Sequence, residues 1–492
     1  MDPYGKNIGE PAIRIQSFDH DSERHSPVRR PQSQYTEVSN GAPKPTGIAA
    51  AVLRWSPKIF MVSYFIFSIS IYTMLPREAT KIFWFFYLTI GTFLAGTTLL
   101  EAYDGLSLLK TARKAVAKAA KSGWKDDEKL PHVELIVEEA QLGGYERVRM
   151  LREVIVYPEE KLRITVLPNH GDDAALFEHL CHRQDRQSGL LPEITAVFRA
   201  DQNPHPHAIR HAVDRLTTDK KIDLLQSRSV LTWPSGVSFF RAIYSSLTSL
   251  QHDTIYGLLL PGRTVTWGLP LSYGTAIFGR TAAIQNAMRT MGGASVRQNG
   301  VALAFSALAQ NTKAAYDMSV ITFTECPASL VGCTRLQIRE TVQWAASLNF
   351  LSLAFTKAKA TAASTEKADA KPPSRTFKQR FCIVYTLLLT RLGSHAVLQY
   401  LSLALALLFT QTPDSAAEFS SLIFFPYTIS IWLIVSGLVC LVATVAMIHS
   451  ASSEFAPPGW TFPLLALVYP FLVLGQAFID VYAQVGVLLG SF

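Results

Sequence analysis

The stretch FRADQNPHPHAIRHAV, residues 198–213, sets an arginine and an aspartate two apart, Arg199 and Asp201, and follows them with His205 and His207. A guanidinium is a planar fork that matches phosphate oxygens, so Arg199 is of the right type to hold a phosphate group. The two histidines can ligate a transition metal, or they belong to a polar loop-to-helix segment that holds none. In RLQIRETVQW, residues 335–344, Arg335 and Arg339 fall one helical turn apart. They either face a phosphate or mark the solvated face of an amphipathic helix. GGASVRQNGVALAF, residues 292–305, places Gln298, Asn299 and Gly300 ahead of an apolar helix-like run, and none of the three can act as a base near neutral pH. In VLPNHGDDAA, residues 166–175, Asp172 suits the cap of a helix that begins there.

Short β-branched or apolar runs occur at 132–137, 161–168, 193–201, 222–231 and 315–325. Segments 144–155, 172–183 and 207–218 lie between them with apolar residues at helical spacing. This alternation predicts an α/β domain over about 130–345 with a mainly parallel sheet. Such sheets bind ligands beyond the carboxyl ends of their strands, which is where Arg199 and Asp201 fall.

The rest of the chain is apolar in a different way. Of its 492 residues 49% are hydrophobic and 17% charged. Apolar runs at 57–75, 82–100, 395–410, 422–448 and 462–489 predict five spans, most near the roughly 20 residues that cross a bilayer. PREATK, residues 76–81, is short enough to make the first two a hairpin over 55–103. Basic flanks, RWSPK before it and KTARKAVAKAAKSGWK after it, predict a cytoplasmic N-terminus and central domain. No Lys or Arg follows Arg391, so the last spans, within 394–492, are oriented by counting, which leaves the C-terminus outside. Residues 376–393 carry bases at both ends and predict a helix lying in the interface, with a sixth crossing as the alternative. Residues 1–54 are expected to be a disordered cytoplasmic tail, and 357–375 a solvated loop. The first span lies too far from the N-terminus to be a signal peptide. The net charge of +8 sits largely beside the spans, which points to anionic membrane lipids rather than nucleic acid. The five cysteines show no paired metal spacing and are expected as free thiols.

LLQSRSVLTW followed by HDTIYGLLLPGRTVTWGLPLSYGTAIFGR, residues 252–280, resembles the membrane-embedded family 2 glycosyltransferases, the cellulose-, hyaluronan- and capsule-synthase-like enzymes with fungal relatives. The resemblance covers roughly residues 55–450 and implies a GT-A-like α/β domain in the cytoplasm, inserted between transmembrane helices. It further implies a nucleotide-sugar donor, a glycan, lipid or small-molecule acceptor, and Mg²⁺ or Mn²⁺ held against the diphosphate by a D-x-D pair.

Carried over residue by residue, that pattern is altered at each chemical position. Asn169 stands where the family has an early acidic residue, and it can still hydrogen-bond a base edge. Arg199 replaces the first Asp of D-x-D, leaving Asp201 as the metal ligand. Arg280 falls at a diphosphate-binding position, and Gln337 and Arg339 stand in for the Gln and Arg of the family's Q-x-x-R-W, with its acceptor-site Trp displaced to Trp344. Gly300, preceded by Asn299, takes the place of the base. Asp253 and Asp317 are substitute bases to consider. Two readings follow: a transferase with non-standard catalytic residues, in the plasma membrane or an internal membrane, or an inactive relative that assembles with an active synthase. A transporter is a third class, with Asp480 the charged group in its spans.

Overall fold

A computed structural model of the chain describes residues 48–122, 127–138, 144–167, 179, 192–199, 201–232, 248–268, 276–291, 300–309, 312–325, 329–346, 348, 376–410, 412–452 and 461–489. Asn169, Asp172, Gln298, Asn299 and the 357–375 loop lie outside the described residues, as does the chain before 48.

Two helices open the chain, α1 (Ile48–Met74) and α2 (Arg77–Ser122). At 46 residues α2 is about 69 Å long, more than twice the hydrocarbon thickness, so its second half extends beyond a bilayer. There it packs against the central domain. That domain comprises β1 (Val133–Glu138), α3 (Gly144–Val154), β2 (Leu162–Leu167), β3 (Ile194–Phe198), β4 (Gln202–Pro204), α4 (Ala208–Thr218), β5 (Leu224–Thr232), α5 (Leu260–Trp267), β6 (Ile277–Arg280), α6 (Thr281–Met291), α7 (Gly300–Ala309), β7 (Ala314–Glu325) and α8 (Leu330–Ala346). Residues 254–259, just before α5, form a wider π-type turn.

The strands make one sheet in the order β2-β1-β3-β6-β5-β7-β4. β1 pairs in parallel with β2 and β3, and β5 with β7, whereas β6 and β4 run antiparallel to their partners. Five strands therefore share one direction and two are reversed. The sheet is thus mainly parallel in strand direction, as expected, and the two reversed strands make it mixed. Both reversed strands, of four and three residues, are too short to leave a periodic signal.

β1 and β3 are flanked by strands on both edges and covered on both faces, which accounts for their near-continuous apolar sequences. On one face Leu135, Phe198, Phe278, Ile209, Val213 and Leu216 form a core with α4. On the other, Ile136, Leu224, Ile284, Met288, Leu303 and Ala307 pack under α6 and α7.

After the domain come α9 (Phe377–Val384), a second π-type turn (Tyr385–Leu389), α10 (Thr390–Phe409), α11 (Ala416–Ile423), α12 (Tyr427–Ser452) and α13 (Thr461–Leu488). Residues 376–393 do not form a helix of their own, because the helical run continues from α9 into α10. Four helices of the described residues are long and apolar enough to cross a membrane: Trp55–Met74, Arg77–Ala117, Arg391–Phe409 and Tyr427–Ala451. The fifth expected span corresponds to α13, whose apolar part among the described residues, Val473–Leu488, is shorter.

The domain is keyed to α2 at close range. Gly105 and Gly262 let two backbones meet, since a methyl group on Gly262 would overlap the Glu101 carbonyl and one on Gly105 the Leu258 carbonyl. Beside them the Arg263 guanidinium donates to both oxygens of buried Glu101, at 3.0 and 2.9 Å, and Trp267 Nε1 donates to the same carboxylate at 3.0 Å. The Pro-Gly-Arg of LLLPGR is thus the docking edge of the domain against α2.

Candidate functional site

The carboxyl end of β3 is where the sheet opens. β6 pairs with only Leu224–Gln226 of β5, so β5 and β7 continue past it, still paired, to Thr232 and Glu325. The chain leaving β3 crosses this gap and joins β7 as β4. Its turn is fixed from inside: Gln202 N–H donates to the Arg199 carbonyl at 3.1 Å and the Arg199 N–H donates to Gln202 Oε1 at 3.2 Å. Arg147 Nη2 donates to the Gln202 carbonyl at 2.6 Å.

On this turn Arg199 and Asp201 pair with each other. Arg199 Nε donates to Asp201 Oδ1 at 3.0 Å and Nη2 to Oδ2 at 2.5 Å. A second guanidinium, Arg339 of α8, places Nη2 3.8 Å from the same Oδ2. Burial opposes ionisation of Asp201, but Arg199 and then Arg339 outweigh it and hold the carboxyl below its ordinary value. The three side chains are only partly covered, at 18% exposure for Arg199, 35% for Arg339 and 37% for Asp201, so solutes reach them.

Next to this pair lies a layer that the sequence reading did not single out. His252 stacks on Tyr256 with ring centroids 4.3 Å apart, and its Nε2 lies 3.4 Å from Ser229 Oγ. Burial, then the cations Arg199 and Arg228, push the imidazole down to about 3, so it is neutral at physiological pH. Tyr256 donates to Glu340 Oε1 at 3.1 Å, and Tyr316 donates to the Tyr256 carbonyl at 2.6 Å. Glu340 is raised above the ordinary carboxyl value by burial, against the opposing pull of Arg339, the Tyr256 hydroxyl, Arg199 and Arg391. Arg228, from the QSR of β5, is fully buried in the same region and flanks Gly257. His252 and Glu340 lie 88 residues apart, in the 252–280 and 335–344 stretches, and no spacing in either signals that they share a site.

Other expected residues fall elsewhere. Arg280 pairs across the sheet with Ile194, at the start of β3, so it stands at the opposite end from Arg199. There it donates to the Leu216 carbonyl at 2.9 Å and lies 3.8 Å from Asp223. Gln337, Thr341 and Trp344 recur at helical spacing on the side of α8 that meets the apolar helices α10 and α13. Gln337 Nε2 donates to Gln251 Oε1 at 2.8 Å, and Gln251 in turn donates to Gln476. Trp344 is buried, donates to the Thr386 carbonyl at 3.3 Å, and has the Arg391 guanidinium 5.0 Å from its ring. It therefore packs inside and does not line an opening. Gly300 begins α7. Asp317 accepts from the backbone and hydroxyl of Ser319 at 2.8 and 2.6 Å, and Asp253 is buried.

A divalent cation does not fit this donor set. Both Asp201 oxygens are engaged by Arg199, a second guanidinium stands alongside, and the neighbouring carboxylate, Glu340, accepts from the Tyr256 hydroxyl. Among the described residues no three His, Cys, Asp or Glu side chains gather into a metal-holding group. His205 and His207 have ring centroids 5.9 Å apart, and His205 Nδ1 accepts the His207 N–H at 3.3 Å. Burial and the neighbouring His207 and His211 push His205 down to about 4. What the cluster offers is cationic hydrogen-bond donors at an open strand end, which suits an anion such as a phosphate.

No family model and no curated protein matches the chain. Among solved structures it is similar to the mannosyltransferase PcManGT from Pyrobaculum calidifontis in complex with GDP-Man and Mn²⁺, at 16% identity and a TM-score of 0.39, covering 76% of this chain and 99% of that one. It is also similar to S. aureus TarS 1–349, at 10% identity and a TM-score of 0.26, covering 72% of this chain and 90% of that one. At these scores neither likeness transfers a mechanism.

Proposed function

We propose that the chain is a membrane-embedded glycosyltransferase-like protein that binds a nucleotide-sugar donor at the carboxyl end of β3 and passes the sugar to a glycan, lipid or small-molecule acceptor through non-standard catalytic residues. The observation that carries this reading is the convergence of Arg199 and Arg339 at the open strand end, where a leaving nucleoside diphosphate needs cationic donors. The altered family 2 motifs support it, and so does the sheet geometry, since open α/β sheets bind ligands beyond their strand ends. In this reading the N-terminus and central domain are cytoplasmic and the chain crosses a plasma or internal membrane several times.

Gly300 leaves the base position empty, and Glu340 is the carboxylate that can take its role. It faces Tyr256 and is surrounded by Arg339, Arg199 and Arg391. A raised carboxyl value moves a base toward neutral pH, as proton abstraction requires. The second reading, an inactive assembly partner of a synthase, is favoured by one observation: Asp201 already has both oxygens engaged within the chain.

Purified protein in nanodiscs, supplied with UDP- and GDP-sugars and broad acceptors, separates the two. Release of nucleoside diphosphate that is lost in Glu340→Gln supports the transferase. Nucleotide binding without release, together with co-purification of a synthase, supports the partner. Absence of nucleotide binding rejects the donor site.

A further inference from the structure

We infer that Asp201 is a built-in stand-in for the ligand's phosphate: a nucleoside diphosphate binds without a divalent cation by displacing the Asp201 carboxylate from Arg199 and Arg339. This rests on the donor-binding reading above and adds what holds the diphosphate and what competes with it.

The geometry of the pair is that of an occupied anion seat. A guanidinium presents Nε and one Nη as two parallel donors, a fork that accepts a carboxylate or a phosphate equally well. Arg199 spends both of those donors on Asp201, at 3.0 and 2.5 Å. Arg339 approaches the same oxygen from α8, at 3.8 Å. The seat is therefore bounded on two sides by guanidinium groups from different elements, with a carboxylate tethered two residues along the chain as its present occupant.

The two halves of the pair are held unequally. Arg199 is fixed at its backbone by hydrogen bonds in both directions with Gln202. Asp201 has a short side chain, is 37% exposed against 18% for Arg199, and is therefore the half of the pair that solvent reaches more readily. The exchange is therefore of one anion for another on fixed cations, and a diphosphate brings more negative charge than the carboxylate it displaces. His252 stays neutral nearby and adds no charge that a metal would need to overcome.

A divalent cation at the same place meets the opposite balance. To reach Asp201 it must break the bidentate pair, and it then sits beside two guanidinium groups with one carboxylate for a ligand. Like-charge repulsion and the single oxygen donor group both disfavour it. Arg199 thus takes over the charge-neutralising task that a metal ion performs in the resembling family.

The test uses the full chain in nanodiscs and calorimetric titration with UDP and with GDP, in EDTA and in Mn²⁺. Wild type is expected to bind one of these with the same affinity in both conditions. Asp201→Asn removes the competitor and is expected to tighten binding about two- to fivefold, the range of a partly exposed ion pair. Arg199→Gln and Arg339→Gln are each expected to weaken it about tenfold or more, as loss of a charge-assisted contact does. Thermal unfolding of each variant shows whether it is folded. Binding that needs Mn²⁺ and is abolished in Asp201→Asn makes Asp201 a metal ligand and overturns the inference, while the donor site stands. Binding in EDTA that none of the three variants alters also overturns it, by placing the nucleotide elsewhere. If neither nucleotide binds folded wild type under any condition, the donor reading falls and the inference with it.

Discussion

Two arginine–aspartate pairs in this molecule use the same chemistry to opposite ends. Arg391 donates to Asp480 Oδ1 at 2.8 Å inside the helix bundle, where Thr341 and Gln476 donate to the same oxygen at 2.9 and 3.0 Å and Ser394 to Oδ2 at 2.9 Å. Asp480 is 4% exposed and fully satisfied, with partners from α8, α10 and its own helix α13. Arg199–Asp201 lies at the rim of the sheet and joins residues two apart, with Arg339 of α8 as a longer contact at 3.8 Å. The buried pair ties α8 of the central domain to the apolar helices α10 and α13, and the rim pair keeps its carboxylate partly open to solvent. The two arginines are equally covered, at 17% and 18% exposure, and what separates the pairs is the carboxylate: the Asp480 side chain is 6% exposed and that of Asp201 37%, and water compensates only the second.

That contrast can be broken by mutation. Asp480→Ala takes a buried acceptor away from Arg391, Thr341, Ser394 and Gln476 together and should destabilise the protein by about 3–5 kcal/mol, read as a lower midpoint of thermal unfolding in detergent. If Asp480→Ala unfolds no earlier than wild type, the bundle pair is not the tie between domain and membrane. Gly262→Ala tests the other tie, since its methyl group must push the domain away from α2; overpacking of this kind costs about 1–3 kcal/mol by the same assay. Asp201→Asn sits at the small end, with an expected change of at most about 1 kcal/mol after solvent screening. A loss comparable to that of Asp480→Ala would make the rim pair structural.

The pH dependence sharpens the same point. The folded Asp201 carboxyl lies below its ordinary value of 3.8, so the stability it contributes is fully present above that value and is lost as pH falls through the lower folded value. From pH 5 to 8 the difference in unfolding midpoint between wild type and Asp201→Asn should therefore stay constant. For Glu340 the shift has the other sign. If it acts as a base, turnover should fall on the acid side at a pH above the ordinary carboxyl value of 4.5, and Glu340→Gln should abolish turnover across the whole range.

Much of the fold could be read before any coordinates, and the reasons are local. The apolar β-branched runs at 132–137 and 193–201 fall on β1 and β3, because strands buried on both faces are largely apolar, here with Glu134 and Thr195 as buried exceptions. β6 was hidden inside AIFGR, since four residues carry no period and its direction is set by partners far away in sequence. That one reversal also decides Arg280: had β6 run parallel to β3, its carboxyl end would have carried Arg280 toward Arg199. It lies at the other end of the sheet instead.

The site was legible in its residue types and not in its pairings. The two-residue spacing of Arg199 and Asp201 was visible, yet nothing in FRAD states that the two side chains engage each other. His252, Tyr256 and Glu340 meet only because the turn before α5 packs against α8, and no short motif spans that distance. Trp344 follows a familiar sequence pattern, but its phase on α8 turns it toward Arg391 and Thr386. LLLPGR drew notice as a resemblance, and its local physical role is to let Gly262 and Arg263 reach Glu101 on α2.

The central claim is that an arginine occupies the place of a metal at the carboxyl end of β3. Electron paramagnetic resonance of Mn²⁺ added to the nanodisc-embedded protein tests it most directly, with wild type compared to Arg199→Asp, which supplies two carboxylates and removes the guanidinium. The account predicts that wild type leaves the free-ion signal unchanged, with or without UDP or GDP, while Arg199→Asp depletes it stoichiometrically. Stoichiometric depletion by wild type, lost in Asp201→Asn, would contradict it.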